Sequence, residues 1–258
     1  MFIPEVVEKP TGDNVLVLSP HFDDDIFGCG GTLSKHILSG NKVTIVYFTD
    51  GREGDPSCPD KGLVEKTRKE EAGKATSLLG INDLIFLDQP ETMLKPVPSV
   101  IKSLGEIIAT IRPDLVYLPV FAEAHIDHLE LNRIFLLLSS EVDLSFNVCA
   151  YEVWTPLIPN IIVDISDVVT RKKGAMEQYA SQIRHVDYVN TVLALNRYRS
   201  ISVLKGQGYA EAFLCLPSRE YIKILKEIQI DRRTFIDGKY LAWIRKKSRS
   251  LGARGNGL

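Results

Sequence analysis

The chain has 258 residues, 45% apolar and 25% charged, with a formal net charge of −2 and a pI near 6.2. That balance excludes disordered and fibrous classes and gives no basic footprint for nucleic acid. No apolar run reaches the roughly 18 residues of a membrane span, and the first residues lack a basic-then-apolar leader pattern, so a cytoplasmic protein is expected.

In chain order, residues 15–18 (Val-Leu-Val-Leu) read as a buried strand, and residues 28–39 as a helix stopped by Gly40. Residues 43–48 are a second strand, and residues 51–62, rich in glycine and proline, a surface loop beyond it. Residues 64–79 form an amphipathic helix stopped by Gly80, followed by a strand at 83–87. Residues 98–111 place Ile101, Leu104, Ile107, Ile108 and Ile111 on one helical face, and residues 115–118 are a fourth strand. Short apolar strands alternating with helices imply an α/β fold: a three-layer αβα, Rossmann-like, mostly parallel sheet with helices on both faces. Further on, residues 129–138 read as helix and residues 148–154 and 160–163 as strands. Ser166 is expected to cap a helix running to about residue 182. A helix at 187–199, a strand at 212–216 and a helix at 220–229 follow.

With no repeat and no linker, one domain over residues 1–258 is the economical reading, its core at about 13–230. The tail at about 245–258, with a short basic stretch from Arg245 to Arg249, is expected to be mobile. The four cysteines, Cys29, Cys58, Cys149 and Cys215, are scattered and form no C-x-x-C pair, so free thiols are expected.

Chemistry concentrates at two strand ends. Ser19-Pro20-His21-Phe22-Asp23-Asp24-Asp25 follows the first strand directly. Three adjacent carboxylates at the mouth of a buried strand repel one another, and a bound cation would remove that cost. The spacing of His21 and Asp24 lets an imidazole and a carboxylate turn toward one point, leaving Asp23 close by but free. The second cluster, His125-Ile126-Asp127-His128, follows the fourth strand and holds two of the five histidines. Asp127 is placed to accept from an imidazole N–H, as carboxylates behind metal-bound histidines do. In a doubly wound sheet, ligands bind beyond the carboxyl ends of the strands where strand order reverses, and the first and fourth strands flank that point. His21, Asp24 and one or both of His125 and His128 can therefore converge. Two imidazoles and a carboxylate favour zinc or another transition metal over magnesium and leave a position open for water.

These residues resemble the LmbE-like, or PIG-L, family of N-acetylglucosaminyl deacetylases. The family's A-H-P-D-D-E motif corresponds to the stretch from Pro20 to Asp25, followed by Gly28-Cys29-Gly30-Gly31, and its H-P-D-H motif to the stretch from His125 to His128. Supporting matches are Thr49-Asp50-Gly51, Arg68 with Glu71 and Ala75, Leu79-Gly80, Arg112-Pro113-Asp114, the stretch from Lys173 through Tyr179 to Gln182, and Tyr209 to Phe213. Phe22 and Ile126 stand where the family has prolines, and Asp25 where it has glutamate. The resemblance implies zinc, with iron as the alternative, bound by His21, Asp24 and His128. It implies Asp23 as general base and His125 as oxyanion donor or acid, with Arg68 on substrate hydroxyls. Asp25 and Asp127 would support the ligands from behind. The implied reaction is removal of an acetyl group from an N-acetylglucosamine-type, small-molecule glycoside.

Other features carry less. The glycines from Gly28 to Gly31 lack the third position of a dinucleotide fingerprint, which is Leu33, and no G-x-S-x-G elbow occurs. His36 reads as structural on the polar side of its helix. His185 could reach the pocket from the C-terminal region. Tyr151 and Trp154 read as packing residues, Glu152 as a weak pocket candidate, and Arg68 without the family match as a plain partner of Glu71. A zinc amidase on a non-sugar amide and a non-catalytic metal- or ligand-binding module stay open as alternatives, as does assembly into a homo-oligomer.

Overall fold

The computed structural model describes residues 4–228 and residue 230. The chain opens with β1 (Glu5–Val7), β2 (Asn14–Ser19), α1 (Asp24–Leu38), β3 (Lys42–Thr49), α2 (Lys61–Leu79) and β4 (Asp83–Gln89). It continues with α3 (Pro98–Ile111), β5 (Leu115–Pro119), α4 (Ile126–Leu138), β6 (Asn147–Tyr151) and β7 (Ile161–Asp164). The last described elements are α5 (Val169–Met176), α6 (Ala180–Ile183), α7 (Tyr188–Arg199), α8 (Ile201–Leu204), β8 (Ala210–Pro217) and α9 (Ser218–Glu227).

The strands form one 8-stranded sheet in the order β1-β7-β8-β6-β5-β2-β3-β4. β2 pairs in parallel with β3 on one side and β5 on the other. β8 runs antiparallel between β6 and β7, so the sheet is mixed and mostly parallel. The β2 run explains the layering. Side chains alternate across a strand, and Leu16 and Leu18 join Leu104 of α3, Ile134 of α4 and Leu225 of α9 in one buried cluster. Val15 and Val17 join Leu33 of α1, Ala72 and Ala75 of α2 and Ala175 of α5 in the other. A strand buried on both faces therefore reads as a continuous apolar run. The chain winds outward from β2 through β3 to β4, then returns to add β5 on the far side of β2. The strand order reverses between β2 and β5, and in sheets of this kind ligands bind beyond the carboxyl ends of the strands at that point.

Several boundaries differ from expectation. α1 begins at Asp24, four residues before Gly28, so the glycine cluster lies inside the helix. A Cβ on Gly28 would come within 2.3 Å of the Tyr151 ring, and one on Gly31 within 2.8 Å of Ile165, so the glycines let α1 press onto the sheet. Ser166 does not cap a helix: its hydroxyl donates to Asp164 at 2.6 Å, and the stretch to residue 182 is split between α5 and α6. β6 ends at Tyr151 and its extension to residue 154 is a loop. His36 is buried rather than on a polar face, with Tyr117 Oη 2.9 Å and Asn41 Oδ1 3.1 Å from its ring nitrogens.

The cysteine expectation is corrected for two of the four. Cys149 and Cys215 face each other across the antiparallel β6–β8 pair and form a disulfide, their Cα atoms 4.0 Å apart. Sequence spacing hid this pairing because register, not separation, brings them together. Cys29 and Cys58 are free thiols. Among the described residues no helix is long and apolar enough to cross a membrane. The tail expected at 245–258 lies outside the described residues.

Candidate metal and active site

The carboxyl end of the sheet brings together residues from four elements. His21 and Asp23 stand on the loop after β2, Asp24 and Asp25 open α1, Arg68 lies on α2, and His125, Asp127 and His128 surround the start of α4. His21 Nδ1 lies 2.9 Å from Asp24 Oδ2, His128 Nε2 lies 3.1 Å from the same oxygen, and the two imidazole nitrogens are 3.3 Å apart. Three donor atoms thus form a triangle with edges of 2.9 to 3.3 Å. A tetrahedral ion bonded at about 2.0–2.1 Å holds its ligand atoms about 3.3 Å apart, so this triangle fits one face of such a shell. His125 stands a little farther out: ligand atoms of His21, His125 and His128 all lie within 4.8 Å of one another.

Asp127 fixes the ring of His21. Its Oδ2 lies 3.1 Å from His21 Nε2 and accepts from the Thr92 N–H at 2.7 Å, while its Oδ1 accepts from Leu94 N–H at 3.1 Å. Each ring nitrogen of His21 therefore faces a carboxylate, Nε2 that of Asp127 and Nδ1 that of Asp24, and the pair of contacts fixes the ring's orientation. Burial would lower the His21 pKa, but Asp24, Asp127 and Glu91 outweigh it and push it up to about 10. The surroundings thus favour positive charge at this point. For Asp24, burial is likewise outweighed, by His128 and His21, which hold its carboxyl well below the ordinary range.

The neighbouring carboxyls behave differently. Asp23 is the N-cap residue of α1, yet its side chain makes no capping hydrogen bond. Burial raises its pKa against the pull of Arg68, whose Nη2 lies 3.4 Å from Asp23 Oδ2. Asp25 is fully buried and accepts from Tyr47 Oη at 3.0 Å, and burial pushes its pKa well above the ordinary carboxylate value. His125 caps α4 through Nδ1, which accepts from the Asp127 N–H at 3.2 Å. Burial, with His21 and His128 nearby, lowers its pKa to about 4. Its neutral ring therefore carries the proton on Nε2, away from the cap.

Arg68 is buried and makes no i,i+3 pair with Glu71, whose carboxylate accepts from Ser181 instead. Its Nη1 donates to Gly51 O at 2.9 Å and Glu91 Oε1 at 2.8 Å. Phe22 fills the space beside it, edge-on to Tyr47 and Phe86. Glu152 is not free for the pocket: it pairs with Arg199 at 2.6 Å and accepts from Leu157 N–H. His185 lies beside Arg184 and Asp55, apart from the histidine cluster. Tyr151 is buried and donates to Leu18 O, and Trp154, 47% exposed, packs edge to face on Tyr188 with ring centroids 5.3 Å apart.

Two acidic residues were not anticipated. Glu91 sits 3.9 Å from His21 Nε2 and holds Arg68. Glu123 Oε2 lies 3.9 Å from His128 Nδ1, a buried atom without a hydrogen-bond partner among the described residues. Each is a lone glutamate on a loop, and no spacing signal links either to the histidines.

A family model described as PIG-L, GlcNAc-PI de-N-acetylase, matches residues 16–138. Diacetylchitobiose deacetylase of Thermococcus kodakarensis is 30% identical over 195 residues, covering 68% of this chain and 73% of its own. A Corynebacterium diphtheriae 1D-myo-inositol 2-acetamido-2-deoxy-alpha-D-glucopyranoside deacetylase is 26% identical over 212 residues, covering 72% and 71%. The structure of N,N'-diacetylchitobiose deacetylase from Pyrococcus horikoshii, complexed with an inhibitor, superposes with a TM-score of 0.70 at 25% identity, covering 81% of this chain and 86% of that one.

Proposed function

The chain belongs to the PIG-L family of de-N-acetylases, and from that premise we propose that it is a zinc-dependent hydrolase removing the acetyl group of an N-acetylglucosamine-type glycoside. The observation that carries the metal part is the triangle of His21 Nδ1, Asp24 Oδ2 and His128 Nε2, with edges of 2.9 to 3.3 Å. These three residues would hold zinc, with iron as the alternative for the same donor set. Bound there, the metal would acidify a water and polarise the amide carbonyl.

The remaining chemistry falls to side chains. Asp23, next to Asp24 but outside the triangle, accepts the proton of the attacking water and then delivers it to the departing amine nitrogen. Arg68 orients the Asp23 carboxylate from 3.4 Å. Its other contacts, to Gly51 and Glu91, favour this orienting role over direct contact with sugar hydroxyls. His125 donates from Nε2 to the oxygen that becomes negative, a contact worth about 3–4 kcal/mol in comparable sites. Asp127 fixes the His21 ring, and Asp25 with Tyr47 anchors the first turn of α1 beneath the ligands.

Acetate release from N-acetylglucosamine, from its glycosides and from a simple N-alkyl acetamide tests this reading. Release from the sugars is expected. Release from the plain amide alone would favour a non-sugar amidase, and metal binding with no release from any of them a binding module.

A further inference from the structure

Of the three corners of the triangle, His128 is held on one side only. His21 has a carboxylate at each ring nitrogen, and Asp24 lies between two imidazoles. The His128 ring is fully buried, and its Nδ1 has no hydrogen-bond partner among the described residues. To bind a metal through Nε2, the nitrogen beside Asp24, a neutral imidazole must carry its one proton on Nδ1. A buried N–H needs an acceptor. The carboxylate oxygen facing it is Glu123 Oε2, at 3.9 Å, about 1 Å beyond the usual N–H···O length.

Glu123 has a second attachment. It sits on the loop between β5 and α4, where Val120 N–H donates to Tyr151 O at 2.7 Å and Glu123 N–H to Val120 O at 3.1 Å. Its buried carboxylate reaches the backbone of the loop after β6. Oε1 accepts from the N–H groups of Val153 at 2.6 Å, Trp154 at 3.1 Å and Thr155 at 3.3 Å, and Oε2 from Trp154 N–H at 3.1 Å. With one donor, Oε2 has a lone pair left on the side of His128. At the other end of that loop, buried Glu152 accepts from Leu157 N–H at 2.8 Å and pairs with Arg199 of α7. The loop thus hangs between two buried carboxylates, one of which faces a corner of the triangle.

We propose that Glu123 is a positioning residue: it takes the Nδ1 proton of His128 when Nε2 binds a metal, and so couples metal capture to the order of residues 153–155. This rests on the reading that His21, Asp24 and His128 hold a metal. One carboxylate then serves both groups. A bond from His128 keeps it ionised and aligned, and an aligned carboxylate holds the three loop N–H groups more firmly.

The test compares zinc affinity, by competition with a chromophoric chelator, in wild type and Glu123→Gln. The amide keeps one acceptor oxygen for the loop but turns its NH2 toward His128, which favours the ring proton on Nε2, the atom that must be free. Zinc binding should weaken by about 10–100-fold, while the urea midpoint of the metal-free protein stays that of wild type. In zinc-loaded wild type, NMR should find a hydrogen-bonded, slowly exchanging proton on His128 Nδ1. Adding zinc should slow amide exchange at residues 153–155 several-fold in wild type and leave it unchanged in Glu123→Gln. Undiminished zinc affinity in the variant overturns the proposal. So do an absent Nδ1 proton in zinc-loaded wild type, or exchange at 153–155 that zinc does not alter there. If Glu123→Gln loses stability as well, these two wild-type measurements decide, since neither needs a variant. If wild type takes up no zinc, the metal reading fails by itself. A hydrogen-bonded Nδ1 proton in the metal-free protein would then still uphold the hold of Glu123 on the ring, and its absence would overturn it.

Discussion

Asp23, Asp24 and Asp25 are chemically identical neighbours that the fold sends to three environments. Asp24 lies between two imidazoles, Asp25 is sealed under Tyr47, and Asp23 stands beside Arg68. This divergence is what a metal-assisted hydrolase requires: one carboxylate to bind, one to support, one left to move a proton. Asp23→Asn keeps the shape and removes the proposed base. It should retain metal while turnover falls by about 10²–10⁴-fold, the range for a general base. Acetate release paired with elemental analysis of the purified variant checks both halves, and full activity would refute the role. His128→Ala removes one corner of the triangle, so the same elemental analysis should find little or no bound metal. The histidine–aspartate spacings were legible because both motifs are local in sequence. Glu91 and Glu123 were not, since each meets its histidine only through the packing of two separate loops.

At the scale of elements, periodicity located nearly every strand and helix of the α/β core, and the glycine stops at Gly40 and Gly80 are real, with φ of 81° and 88°. The failures have physical causes. β1 is three residues long and two of them are exposed, so no apolar run marks it. The direction of β8 depends on how the chain returns to the sheet, which no local pattern encodes. The start of α1 was misplaced because Asp24 and Asp25 suggest a metal loop and Gly28 to Gly31 a turn, whereas contact with the sheet decides the helix there. Two glycines test that explanation. Gly73, in α2, has nothing within 4 Å of an added Cβ. Gly73→Ala should therefore stabilise by about 0.5–1 kcal/mol through helix propensity alone. Gly28→Ala gains the same propensity but drives a methyl to 2.3 Å from the buried Tyr151 ring. Overpacking of about 1–3 kcal/mol should exceed the gain and lower the urea midpoint. If both variants shifted the same way, close approach to the sheet would not be the reason for the glycine at position 28.

At the largest scale, the described residues build one sheet whose two halves differ in how they are joined. β2 to β5 are knit by parallel crossovers, and the carboxyl ends of β2 and β5 carry the residues proposed to hold the metal. The other half, β1, β7, β8 and β6, depends on β8, the antiparallel strand that reaches the sheet last in the chain. The Cys149–Cys215 disulfide fastens that late strand to β6, closing a separation of 66 residues. Chain-entropy reasoning gives about 4 kcal/mol for a loop of that length, and measured disulfides more often contribute about 2–4 kcal/mol. Reducing the protein should lower its unfolding free energy in urea by that amount, and Cys149→Ser should behave as reduced wild type does and no longer respond to reductant. The bond lies in the body of the sheet, away from His21, Asp24 and His128, so acetate release under conditions where the reduced protein is folded should change far less than stability does. A large loss of turnover in folded, reduced protein would mean that the two halves of the sheet are coupled through β6 and the loop it carries. Equal stability with and without reductant would mean that β8 is held by its backbone pairing and side-chain packing, with no net contribution from the covalent link.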